Sequence, residues 1–285
     1  MSTESHQQTN KVAVKTEYGR LEKVILCPPE NMKISEIINE TQKRYKSENI
    51  DVDVAMQQYQ SFANLLRDHG VEVIELDTQQ ELNEQVFTRD IGFTIGDHLF
   101  ISSMGSGIRE GEITVLKQRL DDENINYHDL AEYSIEGGDV ILDDDRVWIG
   151  VSNRTTIEAI NYLQQQLPDY QIIPMPINEK ILHLDCAFNI LSENQAIVFP
   201  DAFTEEDLAK IKQHFEIIEV TEEEQFTLGT NVLSIGDNKI IGMPKNASVN
   251  KKLAAKGFDI LEVPFSEIIK SGGSFRCCSL PLRRS

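Results

Sequence analysis

Val140-Ile141-Leu142-Asp143-Asp144-Asp145-Arg146-Val147-Trp148-Ile149-Gly150-Val151-Ser152 consists of two short apolar runs joined by three aspartates, the pattern of a strand pair closed by a polar turn. The same form recurs in Phe93 to Ser103 around Gly96-Asp97, in Phe188 to Pro200 around Glu193-Asn194, and in Val232 to Pro244 around Gly236-Asp237-Asn238. The turns stand about 45–50 residues apart, a period that marks a repeated supersecondary unit. Between the hairpins, Ile113 to Leu120, Thr155 to Leu167, Thr204 to Phe215 and Ser248 to Lys256 place apolar residues at three- and four-residue steps and read as helices. Thr204 with three acids behind it suits an N-cap, and Gly257 suits a helix stop. Further apolar strands follow at Val71 to Leu76, Tyr170 to Pro176, Phe215 to Val220 and Phe258 to Phe265.

The unit is therefore strand, hairpin and helix, present four times. A fifth can be made from the termini, with Tyr18 to Pro28 pairing Phe275 to Leu282. Units that bury each other's faces must stack, and five that close on themselves make a ring around one channel. Two ordinary α/β sandwiches are the alternative. The ring is preferred because polar clusters recur at one phase of the repeat. Residues 1–12 are expected to form a frayed tail and 13–285 a single α/β domain.

The chain has 285 residues, with 47 acidic against 27 basic and a formal charge of −20. Such a surface disfavours nucleic acid and anionic membranes, but not small cations. No apolar run approaches the roughly 20 residues that span a bilayer. Met1 to Asn10 is polar and lacks the apolar core of a secretory signal. The four cysteines, at 27, 186, 277 and 278, show neither zinc-ligand spacing nor a pairing framework, so a reducing cytoplasm is the expected compartment.

The polar clusters each precede a hairpin: Phe87-Thr88-Arg89-Asp90, Ile135-Glu136-Gly137-Gly138-Asp139, His183-Leu184-Asp185 and Gly229-Thr230-Asn231. Rotation about a ring axis would bring Asp90, Glu136, Asp139, His183 and Asp185 together. Taken singly, Asp90 could pair with Arg89, Glu136 to Asp139 could be a plain turn, and His183 could be a satisfied core histidine. The C-terminal Gly272-Gly273-Ser274-Phe275-Arg276-Cys277-Cys278 offers a thiol beside a basic residue on flexible backbone. That arrangement is expected to depress the thiol's pKa, although an apolar terminal strand with two buried thiols fits the same residues. His98, His128 and His214 have no such placement and read as surface residues.

Taken in order, Phe87-Thr88-Arg89-Asp90, Glu136-Gly137-Gly138-Asp139, His183-Leu184-Asp185 and Gly-Gly-Ser-Phe-Arg-Cys277 resemble the successive motifs of the guanidino-group-modifying, or pentein, superfamily. It holds arginine deiminases, dimethylarginine dimethylaminohydrolases and amidinotransferases. The resemblance runs from about Tyr18 to the terminus and implies an α/β fold, a five-bladed α/β propeller with its site in the channel. By position, it implies Asp90 and Asp185 as the acids that grip a guanidinium, and Cys277 as the nucleophile that forms a thiouronium. His183 takes the place of the acid and base, and Glu136 that of its orienting carboxylate. Arg109 and Arg154 fall where arginine deiminases bind the substrate's α-carboxylate, while Glu84 stands where they have an asparagine. Cys278 stands where the family has another residue.

The resemblance thus implies a hydrolase that converts arginine or an Nω-methylated arginine to citrulline with release of ammonia, methylamine or dimethylamine. The shortness of the chain matches the dimethylaminohydrolases, whereas Phe-Thr-Arg-Asp and Asp185 match the deiminases. An amidinotransferase and a non-catalytic guanidino-compound binding protein are the alternatives. Neither cofactor nor metal is expected, the ligand is a small cationic guanidino amino acid, and a homodimer is compatible with the sequence.

Overall fold

A computed structural model describes residues 11–105, 107–130 and 132–285. Five three-stranded sheets follow one plan, an antiparallel hairpin whose second strand takes a parallel third. The second blade is β3 (Gly92–Ile95), β4 (His98–Ile101) and β5 (His128–Asp129), and the third is β6 (Val140–Asp143), β7 (Arg146–Val151) and β8 (Gln171–Pro176). β9 (Phe188–Ser192), β10 (Gln195–Val198) and β11 (Glu216–Glu219) make the fourth. β12 (Leu233–Gly236), β13 (Lys239–Gly242) and β14 (Asp259–Glu262) make the fifth.

The first blade takes both ends of the chain. β1 (Leu21–Leu26) pairs antiparallel with β15 (Leu280–Arg284), Ile25 opposite Leu280, and parallel with β2 (Glu72–Glu75). Terminal pairing is as expected, but the strand begins at Leu280 because Ser274 to Ser279 turns through the bonds Cys278 N to Ser274 O and Ser279 N to Arg276 O. Residues 1–10 of the expected tail lie outside the described residues. Val12, assigned to that tail, is buried, and Ala13 bridges Arg283, so packing reaches back to Val12.

Each parallel crossover carries a helix: α2 (Val52–Asp68) with α1 (Glu40–Tyr45) before it, α3 (Glu110–Asp122), α4 (Ile157–Gln166), α5 (Glu205–His214) and α7 (Ala247–Ala255), with the short α6 (Glu222–Phe226) ahead of β12. Thr156 and Thr204 cap α4 and α5 by accepting from the backbone N–H groups of Ala159 and Asp207. α1 and α2 were not foreseen from helical periodicity. α2 buries Ala55, Tyr59, Phe62, Ala63 and Leu66 against Phe265 and Phe275, whose rings stack at 4.3 Å. Among the described residues no helix is long and apolar enough to cross a membrane.

The segment after Val12 stitches blades together: Val14 bridges Gly96 and Thr16 bridges Asp143. It delivers Glu17 to the interior, where Arg276 donates to Glu17 Oε1 from Nη2 (2.9 Å) and to Glu17 Oε2 from Nε (3.3 Å). Burial pushes the Glu17 carboxyl up, but Arg276 and Arg89 outweigh it and hold the group at about 2, below its ordinary 4.5. A carboxylate depressed in the folded state stabilises the fold above its unfolded pKa, and that contribution is lost as pH falls from about 4.5 toward 2. Two and a half pH units at about 1.4 kcal/mol each correspond to about 3 kcal/mol. The difference in denaturant unfolding between wild type and Glu17→Gln should therefore be largest at pH 6 and shrink as pH falls from about 4.5 toward about 2. A stability gap independent of pH would show that the Glu17 pKa is the same in the folded and the unfolded chain.

Candidate functional site

The channel mouth is lined by turns that precede the first strand of each blade, so the chain's polar clusters meet there. One small cavity is lined by Ile38, Asn39, Glu84, Phe87, Asp90, Arg109, Leu182, His183, Ser271, Gly272, Gly273 and Cys277. Its backbone is tightly drawn. A Cβ on Gly138 would lie 2.7 Å from His183 Nδ1 and 2.9 Å from Asp90 Oδ1, and Gly272 holds φ +99°, which favours glycine.

His183 is fully enclosed between acids. Its Nε2 donates to Glu136 Oε2 at 2.7 Å, and its Nδ1 lies 3.5 Å from Asp90 Oδ1. Burial pulls the imidazole pKa down, but Asp90, the Glu136 hydrogen bond and Asp139 together hold it well above its usual value, so the ring is protonated at neutral pH. Burial opposes ionisation of Glu136 too, yet the bond from His183 and the nearby cations keep it below the carboxylate norm. Glu136 Oε1 also accepts from the Gly105 N–H at 2.9 Å and from Arg154 Nη1 at 3.4 Å. Burial raises Asp90. Of the two carboxylates flanking one imidazolium, the directly bonded Glu136 carries the charge more readily. Asp139 sits behind, accepting from the Leu184 N–H and the Ser152 hydroxyl, and burial lifts it to about 6.

Cys277 is placed by Asn231. The Asn231 side-chain oxygen accepts from the backbone N–H groups of Ser274 and Cys277, and its Nδ2 donates to Cys277 Sγ at 3.0 Å. The thiol in turn donates to Asp185 Oδ2 at 3.4 Å. Asn231 belongs to the fourth polar cluster; its phase in the repeat was the available signal, and it was not carried into the candidate site.

Three expectations need correction. The Cys277 pKa is raised well above a free thiol, not depressed, first by the neighbouring Cys186 thiol, then by burial and Asp185. The guanidinium of Arg276, adjacent in sequence, points away and is consumed by Glu17, by Asp185 Oδ2 at 2.7 Å and by the Val140 carbonyl. Asp185 consequently lies behind the thiol, engaged by Arg276, and does not line the cavity. Arg109 does not present a free guanidinium for a substrate carboxylate. Its Nε and Nη2 bond Glu112, its Nη1 bonds Asp90 Oδ2 at 2.6 Å, and Nη2 also donates to the Phe87 carbonyl. The acid three residues on, Glu112, takes up Nε and Nη2 of Arg109, although the Arg109 side chain lies on the cavity wall. Arg154 is the accessible arginine, slightly exposed at the rim, with Nη2 donating to the Ile38 carbonyl at 3.4 Å.

Glu84 also reaches the cavity. It accepts from Gln42 Nε2 at 2.8 Å and from the Ser271 hydroxyl, and burial lifts it to about 7. His98, His128 and His214 do lie at the surface, His98 and His128 bonded to each other at 3.1 Å and the exposed His214 with its ring edge-on to Trp148. Among the described residues, two groups hold their donor atoms within 4.8 Å, Asp90 with Glu136 and His183, and Asp185 with Cys186 and Cys277. A metal in the first would have to displace the proton that His183 holds against Glu136.

The sequence model of the family described as N,N dimethylarginine dimethylhydrolase, eukaryotic, matches residues 28–284. YkgA of Bacillus subtilis, described as uncharacterized, is 51% identical over 96% of both chains. AgrE of Nostoc, described as a bifunctional arginine dihydrolase/ornithine cyclodeaminase, is 26% identical over 90% of this chain, which spans 37% of that protein. The N-terminal domain of ArgZ, described as a cyanobacterial arginine dihydrolase and solved with substrate bound, superposes with a TM-score of 0.84 at 22% identity, covering 92% of this chain and 98% of that one.

The Arg109 geometry yields a direct test. Arg109→Ala leaves Asp90 and Glu112 buried without their cation and should destabilise the fold by about 3–5 kcal/mol, read as a lowered urea midpoint. An arginine whose main role is to hold a ligand's carboxylate would leave that midpoint unchanged.

Proposed function

The chain belongs to the N,N dimethylarginine dimethylhydrolase family of the pentein superfamily, whose members act on guanidino groups, and we propose that it is a hydrolase of arginine or an Nω-methylated arginine that produces citrulline. The observation that carries this reading is the cavity with a carboxylate, an imidazolium and a thiol on its walls, Asp90, His183 and Cys277. A guanidinium fits that set. Asp90 Oδ1 receives no hydrogen bond from the described residues, so it is open to a substrate N–H. The cation also supplies the positive charge that the resting site lacks beside Cys277, and a nearby cation lowers a thiol pKa.

As the guanidinium enters, the thiol releases its proton to solvent, and the thiolate attacks the central guanidino carbon. The carbon–nitrogen bond breaks as His183 passes its proton to the departing amine, leaving a thiouronium on Cys277. Neutral His183 takes a proton from water, which attacks the same carbon, and the carbon–sulfur bond breaks to release citrulline. Glu136 keeps the imidazole oriented throughout. Asp185 reaches the guanidinium only after the thiol hydrogen bond to it has been given up.

The test is formation of the ureido product, citrulline from arginine, monomethylarginine or asymmetric dimethylarginine and carbamoylputrescine from agmatine, with intact mass of the protein followed in the same samples. Citrulline from one of the amino acids and an adduct on the Cys277 peptide are expected. Amidino transfer to an added amine, without citrulline, would replace the hydrolase by a transferase. Binding without product or adduct would make the chain a guanidino-compound binder. Cys277→Ser should lower turnover by roughly 10³-fold or more and His183→Ala by roughly 10²–10⁴-fold. Arg154→Ala should raise KM for the amino acid roughly tenfold or more with kcat little changed, because a charge-assisted bond of about 1.5–3 kcal/mol to the α-carboxylate is lost. An unchanged KM would remove Arg154 from substrate binding.

A further inference from the structure

Cys186 ends the short turn Leu184–Cys186, directly after Asp185, and takes no part in the proposed reaction. Its sulfur, the Cys277 sulfur and an Asp185 oxygen lie within 4.8 Å of one another. The two thiols flank one carboxylate: Cys186 donates to Asp185 Oδ1 at 3.6 Å and Cys277 to Asp185 Oδ2 at 3.4 Å. They also open in different directions. Cys277 lines the cavity described above, whereas Cys186 lines a second one of about 80 Å³ with Leu182, Gln225, Phe226 and Gly272. The thiol pair therefore forms part of the wall between two spaces. Cys278 is buried, and Cys27 is the thiol that acts on it.

We infer that Cys186 and Cys277 form a peroxide-operated pair that closes into a disulfide and takes the Cys277 thiol reversibly out of use. Hydrogen peroxide is the oxidant, and its two heavy atoms fit a cavity that a bulky disulfide such as oxidised glutathione would not enter. One thiol passes its proton to the Asp185 carboxylate that accepts from it, its sulfur attacks the peroxide, a sulfur–oxygen bond forms as the oxygen–oxygen bond breaks, and the departing hydroxide takes up that proton and leaves as water, giving a sulfenic acid. The second sulfur attacks the first, the sulfur–sulfur bond forms, and the hydroxyl departs as water with the second thiol's proton. Two thiols have then lost two electrons and two protons, and the peroxide has become two waters. A disulfide needs its sulfurs at about 2.05 Å, so the two sulfurs, now within 4.8 Å, close by rotation of both side chains together with any backbone shift the link requires. A dithiol reductant reverses the bond, whereas a lone Cys277 sulfenic acid is free to proceed to the irreversible sulfinic acid.

Bond formation stands on the geometry alone, and only the loss of activity rests on the hydrolase reading. The full chain is treated with hydrogen peroxide and digested without reduction. A fall of about 2 Da per chain is expected, with the Cys186 peptide joined to the peptide that holds Cys277 and Cys278, and fragment ions placing the link on Cys277. Dithiothreitol should return all four free thiols. Cys278→Ala should keep the link. Cys186→Ala should abolish it and leave Cys277 as a sulfinic acid that dithiothreitol does not reverse. A link from Cys277 to Cys278 or from Cys27 to Cys278, or a Cys277 sulfinic acid in wild type with Cys186 still free, would overturn the inference. Because mass is read without substrate, a chain that forms the link yet makes no citrulline would refute the hydrolase reading and leave the thiol pair standing.

Discussion

Arg276 is the residue on which the interior depends. Fully buried, it donates to Glu17 from the N-terminal stitch, to Asp185 from the third polar cluster and to the carbonyl at the head of β6. One side chain thus joins the chain's beginning, middle and end across the channel. The arrangement depends on the guanidinium because it is shared by two buried carboxylates; without it Asp185 would lose its cation and Glu17 its nearer one. Arg89 and Arg284 share the same region, and burial lowers them to about 9 and about 10, the direction expected where cations crowd.

That ion cluster sets the state of the site beside it. Asp185 faces Arg276 on one side and Cys277 on the other, so the thiol meets a carboxylate and remains neutral. Across the cavity, the imidazolium of His183 is held by Glu136 and Asp90. The positive charge of the resting site sits on the acid and none is offered to the nucleophile. In the reaction proposed above, a cationic ligand between them would supply the positive charge that a buried, protonated cysteine needs to ionise.

The fold was legible because the hairpin turns are punctuated by Gly, Asp and Asn at a regular period, and because each polar cluster keeps its phase. β5, with two residues, is too short to leave an alternation, and α2 went unseen although its apolar face is well formed. In the site, motif order was enough to bring Asp90, Glu136, His183 and Cys277 together. What sequence could not supply was side-chain direction. Arg276 and Cys277 are neighbours whose side chains part company, since the partner of Arg276 is Glu17, more than 250 positions away. Arg109 was misjudged for a nearer reason: Glu112, three residues on, was in plain view as its partner.

The cavity itself is about 10 Å³, roughly the room for one water centre, so the arrangement seen is closed and an arginine-sized ligand enters only when something moves. Energetics decides what. The floor is held by ion pairs, Arg276 with Glu17 and Asp185, Arg109 with Asp90 and Glu112, and breaking one such buried pair costs about 3–5 kcal/mol. The roof is the segment at Ile38 and Asn39 running into α1, and most of its ties are between neutral groups. Asn39 Nδ2 donates to the Ser271 carbonyl, and Gln42 donates to Ser271 Oγ and to Glu84, whose carboxyl titrates near 7. Arg154 adds a bond at 3.4 Å to the Ile38 carbonyl. Net hydrogen bonds of this kind are worth about 0.5–1.5 kcal/mol each, and water replaces them once the segment lifts. The roof is therefore the part that yields. Lifting that segment opens the cavity on the side of Arg154, above ion pairs that fix Asp90 and the Asp185 carboxylate behind Cys277.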